Sequence, residues 1–503
     1  MVTPSPKPAR SLLRRSLWII AFAFGTPAIL LILVFCVVTW RMASVQPVIS
    51  KDYEQAILDL ENEQWADQPG VDAFPIIMSM DEECDRICDH VERDSAVWKD
   101  LKFSALCDPT HKPEHANRDE LFVAIRKTVS RYSSSAIPSK WPELMAADRS
   151  LHAPVGVAAW EMLSPDAGKR RKLARLCAAR MYIAQETRDW SEFVVAYEQG
   201  LVLSKISSWR PFLIEQMVAA AISDLMEQEL SRAMVSNTMD LSTLDALDKA
   251  RRRWAPTTNL GLAVEGERRI MLDAVQRTFS DDGRGGGTQL FDRINALRDP
   301  PNTYFGLSGD NVKYLNSAGL FMRGRAETTM RVNALMDVLI ETIDVDMVPY
   351  RRGHLVFAEF DGRVMSWQKY YPVIEVMTPN WLRAIRSADS AKVIRAGTGV
   401  MLGIERYRIE NGRWPEDLAA IRGIDATDPL NGRPFVYRLV QPNAPTAERA
   451  YLLYSIGLDD IDNQGLMKVG RERDALMFGG VEGVDYLFNA PRPRLDDAAP
   501  GGR

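Results

Sequence analysis

The stretch Ala391–Gly465 decides the reading of this chain, and it opens AKVIRAGTGVMLGIERYRIENG from Ala391 to Gly412. Val393, Gly397, Val400, Ile404 and Tyr407 recur there at alternating spacings of four and three. That is the period of one face of an amphipathic helix. Asn411-Gly412 predicts where the helix stops, because both residues tolerate the left-handed conformation that ends helices. Arg413-Trp414-Pro415, a short run Glu416–Ile421 and the turn-rich Asp428-Pro429-Leu430-Asn431-Gly432-Arg433-Pro434 come next. Two strands are predicted after them, Phe435–Leu439 and Ala450–Ser455. An acidic turn, Gly457-Leu458-Asp459-Asp460-Ile461-Asp462-Asn463-Gln464-Gly465, closes the module.

The order E-R-Y-R-x-E-N-G-R-W-P, D-P-x-N-G-x-P-F-x-Y, Y-x-L-Y-S-I-G-x-D-D resembles the globular part of the major pseudopilins of type II secretion. The residues that carry the resemblance are Tyr407, Asn411, Gly412, Trp414, Pro415, Asp428, Pro429, Asn431, Gly432, Pro434, Tyr437, Tyr454, Ser455, Gly457 and Asp459. They cover roughly the last fifth of the chain. A pseudopilin begins with a short basic leader, a cleavage site and a membrane helix continuous with this module. Here the predicted membrane helix lies far upstream and no such leader precedes it, so a processed fibre subunit is not expected. The plan of membrane helix, helical body and pseudopilin-like tail looks like that of a set of uncharacterised bacterial envelope proteins.

Working outward from the tail, Ser16–Trp40 contains no charged residue. At about 24 residues it is long enough to cross a hydrocarbon core of roughly 30 Å. Trp18 and Trp40 sit at its two ends, where indoles favour the interface, and Gly25 and Pro27 interrupt it as membrane helices tolerate. Lys7, Arg10, Arg14 and Arg15 precede it, while only Arg41 stands close after it. The positive-inside rule therefore leaves the N-terminus in the cytoplasm and exports the residues after Trp40, with the span in the inner membrane of a bacterial envelope. A cleaved signal peptide is the alternative; it would have a shorter apolar core and a small-x-small site.

At 503 residues with a net charge of -5, the chain has room for several domains and shows no basic stripe for nucleic acid. The composition divides it into a cytoplasmic N-terminus (1–15), a transmembrane helix (16–40), a Cys/His-containing helical region (41–150), a helical body (151–380), the α+β module (381–488) and a disordered tail (489–503). The expected fold is thus mainly α, with a small α+β end.

In the region 41–150, helices are predicted at Tyr53–Trp65, Met78–Leu101 and Arg118–Tyr132. Cys84, Cys88 and Cys107 fall here with His90, His111 and His115. An oxidising compartment favours a disulfide. Cys84 and Cys88 stand one helical turn apart, with Cβ atoms about 5–6 Å from each other, which is too far for a disulfide. Either one is therefore expected to pair elsewhere, with Cys107 the partner. The competing reading is a zinc site on C-x3-C-x-H and C-x3-H, soft ligands at an unfamiliar spacing. Cys36 reads as apolar filler of the membrane helix, and Cys177 as a free core thiol.

The body reads most strongly as helix from Lys169 to Asn237. Leu173, Leu176, Ala179 and Ile183 line one face. Thr187-Arg188-Asp189-Trp190 is a turn with a capping Asp. Phe193, Ala196, Tyr197, Gly200, Leu201 and Ser204 mark the facing helix, and Ile214, Met217, Val218, Ala221 and Leu225 a third. The first pair resembles one tetratricopeptide-type hairpin, but no second copy recurs at the period such repeats need. An irregular helical bundle is the expectation, a degenerate helical repeat the alternative. Helices continue over Leu241–Phe279, Leu290–Leu297 and Phe321–Ile343, the last with Met322, Met330, Leu335, Met336 and Leu339 as core. Asp281–Gly287 is a glycine-rich loop without the Gly-Lys-Ser/Thr of a P-loop.

No H-E-x-x-H, G-x-S-x-G or G-x-G-x-x-G occurs, and Ser366-Trp367-Gln368-Lys369 lacks the companion motifs of a β-lactamase site. His354 alternates with apolar residues and reads as a strand residue. Glu265, Glu267 and Asp273 read as a solvated helix face beside Arg268 and Arg269. No catalytic residue is singled out. The pseudopilin resemblance implies a calcium site on the acidic turn, with Asp459, Asp460 and Asp462 as ligands, since Ca²⁺ takes 6–8 oxygens from such loops. The alternative is an Asp/Asn turn that needs no metal. Two functions stand as expectations. One is a non-enzymatic envelope protein whose body and tail bind protein partners of a secretion or pilus-like system. The other is an exported hydrolase with its site in the helical body.

Overall fold

The computed structural model describes residues 29–63, 70–94, 118–150, 158–162, 167–236, 239–256, 258–297, 309–343, 370–378, 381–440, 450–457, 461–466 and 485–489. The chain is mainly helical. Residues 29–43 are helical, and then come α1 (Tyr53–Glu63), α2 (Ala73–Asp94), α3 (Arg118–Ser133), α4 (Ile137–Met145), α5 (Ala167–Thr187), α6 (Trp190–Ser207), α7 (Leu213–Ser236), α8 (Leu241–Arg253), α9 (Leu260–Thr278), α10 (Phe291–Ala296), α11 (Arg325–Ile343), α12 (Pro372–Met377) and α13 (Trp381–Asn411). Short 3-10 helices lie at Ala159–Met162 and Leu418–Ala420, and a longer one at Gly309–Phe321. Strands β1 (Val436–Leu439), β2 (Tyr451–Ser455) and β3 (Tyr486–Leu487) form one antiparallel sheet in that order.

The chain separates into two compact units. One holds residues 1–52, 271–334 and 363–378; the other holds 53–270, 335–362 and 379–503.

The larger unit is built around α7, which packs on α5, α6 and α13. The local signals that separate its helices act as the sequence predicts. Arg188 takes a φ of 59° to end α5, and the Asp189 side chain accepts the Glu192 amide at 3.1 Å to start α6. Asp240, which the sequence reading did not single out, caps α8 through the Thr243 amide at 2.7 Å. Gly412 takes a φ of 67° where α13 ends, as its Asn-Gly pair predicts. A single apolar core gathers Ile77 and Met80 of α2, Leu173 of α5, Phe193 and Leu201 of α6, Met226 of α7, Val393 and Ile404 of α13, and Leu453 and Phe488 of the sheet end. The segment 381–488 thus shares its core with the helices of the body.

β1 and β2 pair with Val436 opposite Tyr454 and Leu439 opposite Tyr451, matching the two predicted strands. β3 carries no sequence signal; at two residues it is too short to show an alternating pattern.

In the smaller unit, Phe279 and Gln289 form an antiparallel bridge that closes the loop 281–287, where Gly283, Gly285 and Gly287 all have positive φ. The Gln276 side chain accepts the Ser50 and Lys51 amides at 3.2 Å and donates to Lys51 O at 2.7 Å, tying down the segment after the helix 29–43.

Two expectations need correction. Met330 is 65% exposed, not core, whereas Leu335, Met336 and Leu339 are buried. Glu267 and Asp273 are buried at 7% and 1% exposure, not a solvated face. Among the described residues, no helix is long and apolar enough to cross a membrane. Of the predicted span 16–40, residues 16–28 lie outside the described residues; so do His111, His115, His354, Cys107 and Ser366–Lys369.

Candidate functional site

The acidic turn and the two loops beside it bring together Asp428, Ser455, Asp462 and Asp485. Asp428 opens the turn before β1, where its backbone N–H donates to Arg433 O at 2.7 Å. Its carboxylate accepts the Leu430 amide at 2.9 Å and the Ser455 hydroxyl at 2.5 Å. Burial pushes this carboxyl above its usual range, and the two hydrogen bonds oppose that shift. Asp485, fully buried just before β3, accepts the Gly465 amide at 2.7 Å and the Asn463 amide at 3.4 Å. It too is raised by burial. These two carboxylates pin the loops on either side of β2.

Asp462 behaves differently. Its Oδ1 accepts the Gln464 amide at 2.8 Å and the Tyr454 hydroxyl at 2.8 Å, and Arg438 lies 2.5 Å from its Oδ2. Partial burial raises its pKa, but these donors outweigh that and hold it below the usual carboxylate range. Both oxygens are therefore engaged, and a guanidinium stands where a cation would approach. The described residues do not fit a calcium ion at Asp462 unless Arg438 is displaced. Asp459 and Asp460, the other predicted ligands, lie outside the described residues. Among the described residues, no group of three His, Cys, Asp or Glu side chains is arranged to hold a metal.

The motif residues are otherwise occupied in holding the module together. Tyr437 donates its hydroxyl to Pro415 O at 2.9 Å, joining the Asn-Gly-Arg-Trp-Pro corner to β1. Trp414 packs against Tyr451 at 5.0 Å between ring centroids, with the Arg408 guanidinium 5.1 Å from the indole. Gly457 takes a φ of 68° where β2 turns away.

Two buried charge clusters in the helical body are absent from the sequence reading. In the first, Glu215 of α7 pairs with Arg170 of α5 and lies 3.4 Å from Arg210, which is 4.0 Å from Glu61 of α1. All four are 2% exposed or less. In the second, Glu227 of α7 accepts Arg251 Nε of α8 at 3.3 Å and the Tyr197 hydroxyl of α6 at 3.2 Å, with Arg395 of α13 at 3.6 Å. Arg251 and Arg395 also donate to each other's carbonyl oxygens. Opposite charges that meet in a core need each other, because one left alone would be strongly destabilising. The sequence signal is an arginine or glutamate on an otherwise apolar helical face, which spacing alone does not pair across elements.

Of the cysteine set, Cys84 is fully buried in the core on α2. Cys88 lies on the same helix, and its expected alternative partner Cys107 is outside the described residues. Cys177 is a buried free thiol whose pKa burial pushes up to about 12, which keeps it protonated and unreactive. Among the described residues the chemistry on offer is structural: carboxylates held by donors, and ion pairs held by one another. Comparison with protein families, curated proteins and solved structures finds no match to this chain.

Proposed function

We propose that this chain is a single-pass, membrane-anchored protein of the bacterial cell envelope, with its body and tail outside the cytoplasm, and that these bind protein partners of a secretion or pilus-like assembly. The observation that carries the anchor is the uncharged run Ser16–Trp40 together with the exposure of its described residues. Ile29, Leu31, Leu33, Phe35 and Val37 are each 56–71% exposed, and Trp40 is 73% exposed. An apolar surface of this kind is costly in water, at about 25 cal/mol per Å², and a bilayer removes that cost.

A binding role is supported by what fills the body. Leu173, Phe193, Tyr197, Leu201 and Met226 are completely buried, and Glu227 among them is paired with Arg251. The tail's sequence resemblance to pseudopilins points to the kind of assembly it meets. Protease added to spheroplasts tests the topology: it should digest the body and spare the N-terminal peptide. A body protected until the membrane is lysed would refute the anchor. Affinity capture of the full chain from native membranes, with mass spectrometry, should then recover envelope assembly proteins reproducibly; recovery of none would refute the binding role.

A further inference from the structure

The 3-10 helix Gly309–Phe321 is 13 residues long, well beyond the usual three or four for such helices. It is held in place from its inner side. Val312 and Asn316 are fully buried, and a Cβ on Gly319 would meet Gln289 O at 2.0 Å, so glycine permits the close approach there. Two of its hydrogen bonds reach the end of the helix 29–43. Thr39 Oγ1 donates to Ser317 Oγ at 3.4 Å, and Asn316 Nδ2 donates to Met42 O at 3.4 Å.

Its outer side is apolar and uncovered. Residues three apart eclipse in a 3-10 helix, so Tyr314 and Leu320, two turns apart, fall on one side, with the buried Ser317 between them. Tyr314 is 45% exposed, Leu320 50% and the adjacent Phe321 90%. Ser317, between Tyr314 and Leu320, is the residue bonded to Thr39. Leu320 lies one turn further on, about 6 Å at 2.0 Å per residue. Lys313 and Arg323 flank this side, with Lys313 Nζ 5.6 Å from the Tyr314 ring.

We infer that the 3-10 helix Gly309–Phe321 is a second membrane contact, a foot that sets Tyr314, Leu320 and Phe321 into the headgroup region of the leaflet from which the anchor emerges. The inference rests on the anchor reading proposed above. If Trp40 marks the outer end of the span, the bonds at Thr39 and Met42 hold this element at interfacial depth. Aromatic rings with a polar tip or a basic neighbour are suited to that depth. The occupant is lipid because Ser317 and Asn316 tie this element to the end of a helix whose own apolar side chains are exposed.

The test uses the full chain in nanodiscs of phosphatidylethanolamine and phosphatidylglycerol, with p-benzoylphenylalanine replacing Phe321, Leu320 or Leu33 in separate preparations. After irradiation, lipid adducts are read by mass spectrometry. Lipid adducts are expected at 33, 320 and 321. With the probe at 320, Phe321→Asp should lower the adduct several-fold, since a carboxylate is costly near hydrocarbon, while the yield at 33 is unchanged. Lipid at 33 with no adduct, or only a protein adduct, at 320 and 321 would overturn the foot and leave the anchor standing. An unchanged adduct at 320 in Phe321→Asp would also overturn it, as chance proximity to lipid. Absence of lipid at 33 would overturn the anchor, and this inference with it.

Discussion

Burial pushes the Glu267 carboxyl up to about 7, even though it accepts the Leu213 amide at 3.1 Å at the start of α7. Because its folded pKa lies above the ordinary 4.5, the folded state binds the extra proton between those two values. Its contribution to stability is fully present below about 4.5 and is lost as pH rises through about 7. Glu267→Gln keeps an acceptor for Leu213 and removes the charge. The variant should therefore gain on the wild type between pH 5 and pH 8, by on the order of 3 kcal/mol. Urea melts of both proteins at the two pH values measure this, and an equal gap at both would contradict it. At Asp462 the expected outcome concerns calcium. Arg438 already neutralises this carboxylate, so melting temperatures of the full chain in millimolar Ca²⁺ and in chelator should coincide. A higher temperature in Ca²⁺, abolished by Asp459→Ala, would show that Asp459 and its neighbours assemble a site after all. Arg438→Ala should cost no more than about 1 kcal/mol, because the pair is exposed.

At the scale of elements, one close crossing is more demanding than any single contact. A Cβ on Gly266 of α9 would fall 1.6 Å from the carbonyl oxygen of Pro211, a backbone atom that cannot swing aside. Gly266→Ala should destabilise by about 3 kcal/mol, the upper end of ordinary overpacking. Chemical denaturation would show it as a lower midpoint; an unchanged midpoint would mean that the loop before α7 gives way. The sequence shows α5, α6, α13 and the first two strands well, because each carries a clear period or stop signal; in α7 the expected face is turned, with Ile214 and Ala221 exposed while Glu215, Ala219 and Ile222 are buried. It does not show β3, whose meaning comes from Phe488 packing on Phe435 at 5.1 Å and over Gly397 of α13. Gly397 reads only as a position on an apolar face, and its role as the seat of a distant ring is a tertiary fact. The same holds at the site. The Asp428-Pro429 turn is visible in sequence, but its bond to Ser455 and the role of Asp485 depend on three loops meeting.

For the whole molecule, the core of the larger unit binds residues from α2 to β3 into one body, with Glu227 joining α6, α7, α8 and α13 at its centre. Native-state hydrogen exchange should therefore give the protected amides of α7 and α13 the same opening free energy. A lower value confined to α13 and the sheet would show that the tail opens as a separate module. The position of Phe488 in that core has a further consequence in time. The ribosome delivers it about 400 residues after Ala73, on the order of half a minute later at ordinary synthesis rates. Until then the helices lack the ring that closes them against α13. A chain with this core finishes folding only after release, and in the meantime it depends on whatever shields its unfinished apolar faces.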